Sequence, residues 1–157
     1  MDQYKAILSD LTLDDESVEL LIKNYSVLPD KIHKLHKAMQ ESLALSQFNI
    51  KEKSLAVAGI TQGWLTTLFA EKAVLDRLQK RKVQLENDYA NTFGDKGKPR
   101  FAVKEEAKSS VDVMQVIAAI ESQELVVRYL EESLKIIRTH SYNIGNAVDI
   151  IKLEEGR

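Results

Sequence analysis

The stretch VIAAIESQELVVRYLEESLKIIRTHSYNIGNAVDII, residues 116–151, decides the fold. Eleven of its positions step by four and three residues in strict alternation, and nine of the eleven are apolar. That spacing keeps one stripe of an α-helix facing a neighbour over about five heptads. It predicts a helix over 110–151 that is packed along its length. The eleven positions are Val116, Ile120, Gln123, Val127, Leu130, Leu134, Ile137, Ser141, Ile144, Val148 and Ile151.

A second long helical segment precedes this one. In residues 29–92 the only proline is Pro29, which would lie in the first helical turn, where proline is tolerated. The only glycines in this segment are Gly59 and Gly63. The sequence predicts one long helix over 29–92 with a possible bend at 59–63, because glycine weakens a helix interior. Residues 93–109 hold Pro99 and two glycines, which predicts a loop. The two helices are similar enough in length to form an antiparallel pair.

The N-terminal segment, residues 1–28, is predicted to form short acidic helices. Residues 1–30 carry seven acids against two bases. Thr12 or Asp14 is placed to cap a helix that runs to about Lys23. The predicted architecture is therefore one all-α domain over 1–157: a long helical hairpin, coiled-coil-like, with short N-terminal helices.

Composition and motifs argue against an enzyme. The chain has no cysteine, no glycine-rich phosphate loop and no nucleophile–base arrangement, so neither a cofactor nor a metal is expected. His33 and His36 lie among lysines, which oppose metal binding. No secretory signal and no long apolar segment are present, so we expect a cytoplasmic protein without membrane contact.

The positive charge concentrates around one helix end and the loop after it. Cations that follow phosphates beside aromatic rings that stack on bases are typical of sequence-independent single-strand binding. The alternative without a function in binding is a solvated helix surface whose cations stabilise the carboxyl end of the helix. The candidate DNA-binding residues are Lys72, Arg77, Lys80, Arg81, Lys82, Tyr89, Phe93, Lys96, Lys98 and Arg100.

An isolated hairpin of this kind would expose much apolar surface. Either the N-terminal helices cover it or sister subunits do, and self-association is our expectation. The predicted oligomer interface consists of the apolar stripe positions Val116, Ile120, Val127, Leu130, Leu134, Ile137, Ile144, Val148 and Ile151.

Three parts of the chain carry a family resemblance. The strongest is QELVVRYLEESLKII at 123–137, followed by SYNIGNAVD at 141–149 and LEEG at 153–156. Weaker matches are DLTLD, NYSVL and KIHK in 10–34, and the basic helix KRKVQL at 80–85 leading to Tyr89 and Gly94. In these stretches the sequence resembles the UvsY recombination mediators of T-even-like bacteriophages.

The resemblance implies a non-enzymatic mediator of DNA recombination, repair and replication in an infected bacterial cell. Such proteins bind single-stranded DNA and help a RecA-like recombinase replace single-strand-binding protein. They form rings of several subunits, so the resemblance also implies a homo-oligomer, a ring of about six to eight subunits. Lys80 and Lys82 fall where the basic helix of the family contacts DNA. The other candidate residues rest on charge and position alone.

Two alternatives remain open. A helical structural protein, such as a virion or scaffold component, would form the same oligomer without nucleic-acid affinity. A small regulator that binds one protein partner would be a monomer or a dimer.

Overall fold

The protein is described by a computed structural model that covers residues 14–24, 28–43, 50–94 and 97–155. These residues form five helices and no strand, which confirms the predicted all-α class. The helices are α1 (Asp15–Lys23), α2 (Leu28–Leu43), α3 (Ile50–Phe93), α4 (Arg100–Ala107) and α5 (Val111–Glu155).

Helices α3 and α5 form the expected hairpin. They contain 44 and 45 residues and make the most extensive contact in the chain. Lys72 pairs with Glu131, whereas Leu78, later on α3, packs near Val116, earlier on α5, so the helices run antiparallel. The Ser110 hydroxyl accepts the Val113 N–H at 3.4 Å and so caps the start of α5.

The prediction of one helix over 29–92 is wrong. Lys31 on α2 contacts Glu71 on α3 at 2.6 Å, although one straight helix would separate residues forty positions apart by roughly 60 Å. Helix α2 therefore lies separately on the hairpin, where its main contact is with α5. Helix α3 passes without a break through Gly59 and Gly63. Neither glycine has an atom within 4 Å of the position of an added Cβ.

The prediction of a loop over 93–109 is also only partly right. Residues 100–107 form helix α4, and Val103 and Ala107, one turn apart, are buried. The glycines and Pro99 all precede this helix, so the turn signal ends at residue 99. At its other end the hairpin extends to Glu155, beyond the predicted residue 151.

Two apolar clusters hold the helices together. Leu130 and Ile137 of α5, both 0% exposed, pack with Leu68 of α3 and Met39 of α2 in the first cluster. Val18 and Ile22 of α1 join Leu78 of α3 in the second, which also contains Val116 and Ala119 of α5. Helices α1 and α2 thus cover part of the apolar hairpin within a single chain.

This covering changes the interpretation of the predicted oligomer interface. Six of its nine residues are buried within the chain: Val116, Val127, Leu130, Leu134, Ile137 and Ile144. Five of the six lie in the two apolar clusters, so their side chains already pack on other helices of the same chain and are not exposed to a sister subunit in this conformation. Ile120 and Val148 are half-buried, and the side chain of Ile151 lies outside the described residues.

Candidate nucleic-acid interface

The central part of the candidate site is a cationic face on α3. Arg77, Lys80 and Arg81 are spaced by three and one residues and line one cleft together with Gln84, one turn further along. Spacings of three and four residues place side chains on the same side of a helix. The cleft has a volume of ≈ 480 Å³. The structure thus brings three of the ten predicted DNA-binding residues together.

The opposite wall of this cleft is the acidic helix α1. Asp15, Glu16 and Glu19 line it, so three carboxylates face the three cations. The Arg81 guanidinium donates to Glu19 Oε1 through Nε at 2.7 Å and through Nη2 at 2.6 Å. The acidic segment therefore contacts the basic face of its own chain.

Helix α1 is positioned by its cap and by two apolar side chains. The Asp14 carboxylate accepts the Ser17 N–H at 2.9 Å, and hydrogen bonding to Ser17 lowers the pKa of Asp14 below its ordinary value. One turn of helix separates Val18 from Ile22, and both are 4% exposed against Leu78. The side that carries Glu19 is then directed to the cationic face of α3.

The three cations of this face differ in their partners. Lys80 donates to Asp76 Oδ2 at 2.6 Å, one turn earlier on the same helix. Arg81 is held by Glu19. Arg77 is exposed and has no ion pair within the described part of the chain. Of the three cations on this face, Arg77 is therefore the one that no described carboxylate contacts.

Two other candidate lysines of α3 lie away from the cleft. Lys72 pairs with Glu131 of α5 at 2.6 Å, and this hydrogen bond together with the lysine charge lowers the pKa of Glu131. Lys82 is 3.7 Å from Glu86, whose side chain is only 13% exposed. Lys82 thus belongs to a partly buried pair, separate from the face of Arg77, Lys80 and Arg81.

The two predicted stacking residues pack on each other. The rings of Tyr89 and Phe93 are tilted by 44°, with centroids 4.9 Å apart. Phe93 is 67% exposed and Tyr89 is half-buried. Phe93 therefore offers an open aromatic surface at the carboxyl end of α3.

The cations after α3 lie around the start of α4. Lys98 donates to Glu106 at 2.6 Å, and Arg100, the first residue of α4, is exposed. Lys96 lies outside the described residues. The predicted patch is thus divided into the cleft beside α1, the α3 end with Phe93, and the α4 start with Arg100.

Sequence reasoning missed the acidic wall of the site. The excess of acids in residues 1–30 was visible, but the sequence did not show that these acids face cations of the same chain. Only the docking of Val18 and Ile22 on the hairpin brings the two charge clusters together. Gln84, which shares the cleft, carries no charge and gave no signal.

Two other kinds of site are absent from the described residues. Within 14–24, 28–43, 50–94 and 97–155, no three His, Asp or Glu side chains are grouped as metal ligands. None of the helices described there is long and apolar enough to cross a membrane.

The fold is similar to that of a solved protein, the recombination mediator protein UvsY of bacteriophage T4. The two structures align with a TM-score of 0.65 over 78% of this chain and 98% of that chain, at 14% sequence identity. No protein-family model matches the chain, and no curated protein matches it in sequence. The similarity therefore concerns the fold, and it covers nearly the whole of the phage protein.

Proposed function

We propose that this chain is a recombination mediator: a non-enzymatic homo-oligomer that binds single-stranded DNA and helps load a RecA-like recombinase in place of single-strand-binding protein. The observation that supports this most is the similarity of its fold to nearly the full length of a recombination mediator. The DNA site we propose is the α3 face of Arg77, Lys80 and Arg81, extended by Phe93 and Arg100.

The cations of this face can exchange their carboxylate partners for the phosphates of DNA. Lys80 and Arg81 are held by exposed or half-exposed ion pairs, which typically contribute about 0–1 kcal/mol. Phosphates of a single strand offer the same cations a similar partner and release condensed counterions on binding. Phe93 adds an exposed ring on which a base can stack.

The experiment that tests binding is a titration of a labelled oligo-dT at two salt concentrations, followed by fluorescence anisotropy. We expect binding that weakens with salt, because log affinity falls linearly with log salt when phosphates are neutralised. Absence of binding at low salt would reject the proposal.

Matched charge reversals locate the site. Arg77→Glu with Lys80→Glu should weaken binding about tenfold or more at low salt, since two phosphate contacts are replaced by repulsion. The control is Arg128→Glu with Lys135→Glu, which makes the same change of charge on the exposed surface of α5. Equal losses in both variants would mean that net charge, and not this face, determines the affinity.

The loading step needs a separate assay. On oligo-dT covered by single-strand-binding protein, the chain should shorten the lag before a RecA-like ATPase reaches its steady rate. The Arg77→Glu/Lys80→Glu variant should leave that lag unchanged. A chain that binds DNA but never shortens the lag would be a DNA-binding protein without mediator activity.

One observation favours a structural assembly protein as the second candidate. Of the candidate cations, Lys72, Lys80, Arg81, Lys82 and Lys98 all contact a carboxylate of the chain. A surface whose charges are satisfied internally is also what a virion or scaffold subunit requires. The same titration separates the two candidates, because a purely structural protein would not bind oligo-dT at any salt concentration.

A further inference from the structure

We infer that helix α1 is an intramolecular cover of the cationic face, which competes with single-stranded DNA for Arg77, Lys80 and Arg81. This inference rests on the proposed function and concerns the regulation of the same site. It starts from the cleft between α1 and α3, in which three carboxylates face three cations.

The charge balance of the cleft gives the first argument. With α1 docked, Asp15, Glu16 and Glu19 offset the positive charge of the opposite wall, so an approaching phosphate meets a nearly neutral surface. With α1 displaced, the same wall presents all three cations, of which Lys80 stays paired with Asp76 of its own helix. The Glu19 carboxylate already occupies Arg81 with the two donor contacts that a phosphate oxygen would use.

The attachment of α1 gives the second argument. It is a helix of nine residues, and its buried side chains are Val18 and Ile22. A helix this short is marginal in water, so its structure depends on docking. A small docked element of this kind belongs to the part of a protein that opens most readily. Displacement of α1 thus requires the loss of few contacts.

The two arguments together make α1 a competitor matched to the site. Its charged side covers the cations and its apolar side is anchored on Leu78, on the same helix. DNA would bind by exchanging with α1, and any partner that captured the released acidic helix would raise the affinity for DNA. The binding of DNA and the docking of α1 are then mutually antagonistic.

The first test removes the charge of the cover in the full-length chain. The variant Asp15→Asn/Glu16→Gln/Glu19→Gln should bind oligo-dT at least about threefold more tightly than the wild type at low salt. Its control, Glu41→Gln/Glu121→Gln/Glu124→Gln, removes three exposed acids from α2 and α5 and changes net charge equally. The affinity of the control variant for oligo-dT is expected to increase clearly less.

The second test loosens the cover without changing net charge. Val18→Ala/Ile22→Ala removes the apolar anchor of α1 and should also tighten binding, although every carboxylate remains. Ile144→Ala/Val148→Ala is the matched truncation near the far end of α5. Circular dichroism verifies that each variant is folded before titration.

Hydrogen exchange of the wild type measures the displacement directly. Backbone amides of α1 should exchange faster when oligo-dT is bound, because the released helix loses its structure. If the wild type binds DNA, but the variants bind like their controls and the α1 amides stay protected, the cover is refuted and the proposed function stands. If neither the wild type nor any variant binds DNA, both proposals fail.

Discussion

Gln123 of α5 donates two hydrogen bonds to Glu71 of α3, one to the carboxylate at 2.7 Å and one to the backbone carbonyl at 3.0 Å. Gln123 is 0% exposed, and it occupies a position of the heptad stripe where an apolar residue is usual. Lys31 of α2 reaches the same carboxylate at 2.6 Å. One buried carboxylate thus joins three helices and fixes how they are aligned along one another.

The first prediction concerns this polar contact. Glu71→Leu should destabilise the chain by about 1–3 kcal/mol, because the buried Gln123 amide loses its side-chain partner and remains desolvated. Lys31, whose side chain is 39% exposed, turns to water and contributes little to the loss. Urea unfolding followed by circular dichroism measures the change in the free energy of unfolding.

The control is the double variant Glu71→Leu/Gln123→Leu. Replacing both partners by apolar groups leaves no unsatisfied donor, so stability should recover most of the loss. A double variant that is less stable than either single variant would show that the two residues contribute independently.

Sequence patterns predicted the contacts along single helices better than those between distant segments. The four-three spacing from Val116 to Ile144 correctly predicted a packed helix, because the period of the apolar positions is itself the geometry of the contact. The same spacing could not say whether the neighbour was a sister subunit or α2. That depended on the return of the chain between α2 and α3, for which Gly59 and Gly63 were misleading signals.

The prediction of the candidate DNA-binding site had the same limit: it identified neighbours along one helix but not contacts with distant segments. The cations of α3 were visible as a local cluster, but the sequence alone does not show which of them lie beside another helix. Lys80 and Lys82 are two residues apart and lie in different surroundings, one beside the α1 cleft and one against Glu86. Only the docked position of α1 distinguishes them, and that position depends on contacts across 62 residues of sequence.

The second prediction concerns Gly145, in the carboxyl-terminal third of α5. It has no atom within 4 Å of an added Cβ, so Gly145→Ala should stabilise the chain by about 0.4–1 kcal/mol through reduced freedom of the unfolded state. Thermal unfolding measures it, with Gly59→Ala on α3 as a second site of the same kind. A loss of stability at Gly145 alone would show that another subunit approaches α5 there.

The third prediction follows from the lowered pKa of Asp14. The pKa of Asp14 in the folded chain lies below the ordinary value of 3.8. The stability that the Asp14 carboxylate contributes is therefore fully present above pH 3.8 and is lost as the pH falls through the folded pKa. We expect α1 to loosen in acid before the hairpin unfolds. The Ser17 amide signal in NMR, which reports the cap hydrogen bond, should shift in that range.

Asp14→Asn is the control for the titration. Asparagine also caps helices, so α1 should remain docked while the acid transition of the Ser17 signal disappears. A transition that persisted in this variant would have to come from another carboxylate, and the assignment to Asp14 would be wrong.

The fourth prediction concerns a part of α5 that stays exposed, unlike most of the predicted oligomer interface. Met114, Leu125 and Ile136 of α5 are spaced eleven residues apart and are 57%, 51% and 57% exposed. Eleven residues make just over three turns, so these side chains lie in one line along α5, about 16 Å apart, as a second, discontinuous apolar stripe that the chain itself does not cover. If the protein self-associates, this stripe is the surface we expect sister subunits to bury.

Leu125→Glu with Ile136→Glu should therefore lower the molar mass in solution measured by light scattering, because a charge in an apolar contact opposes its burial. The matched change is Leu20→Glu with Phe69→Glu, which adds the same charge at exposed apolar positions of α1 and α3. The stripe is the interface only if the first variant dissociates while the second keeps the mass of the wild type. Dissociation of both, or of the second alone, would place the contact elsewhere and leave the α5 stripe without a role in assembly.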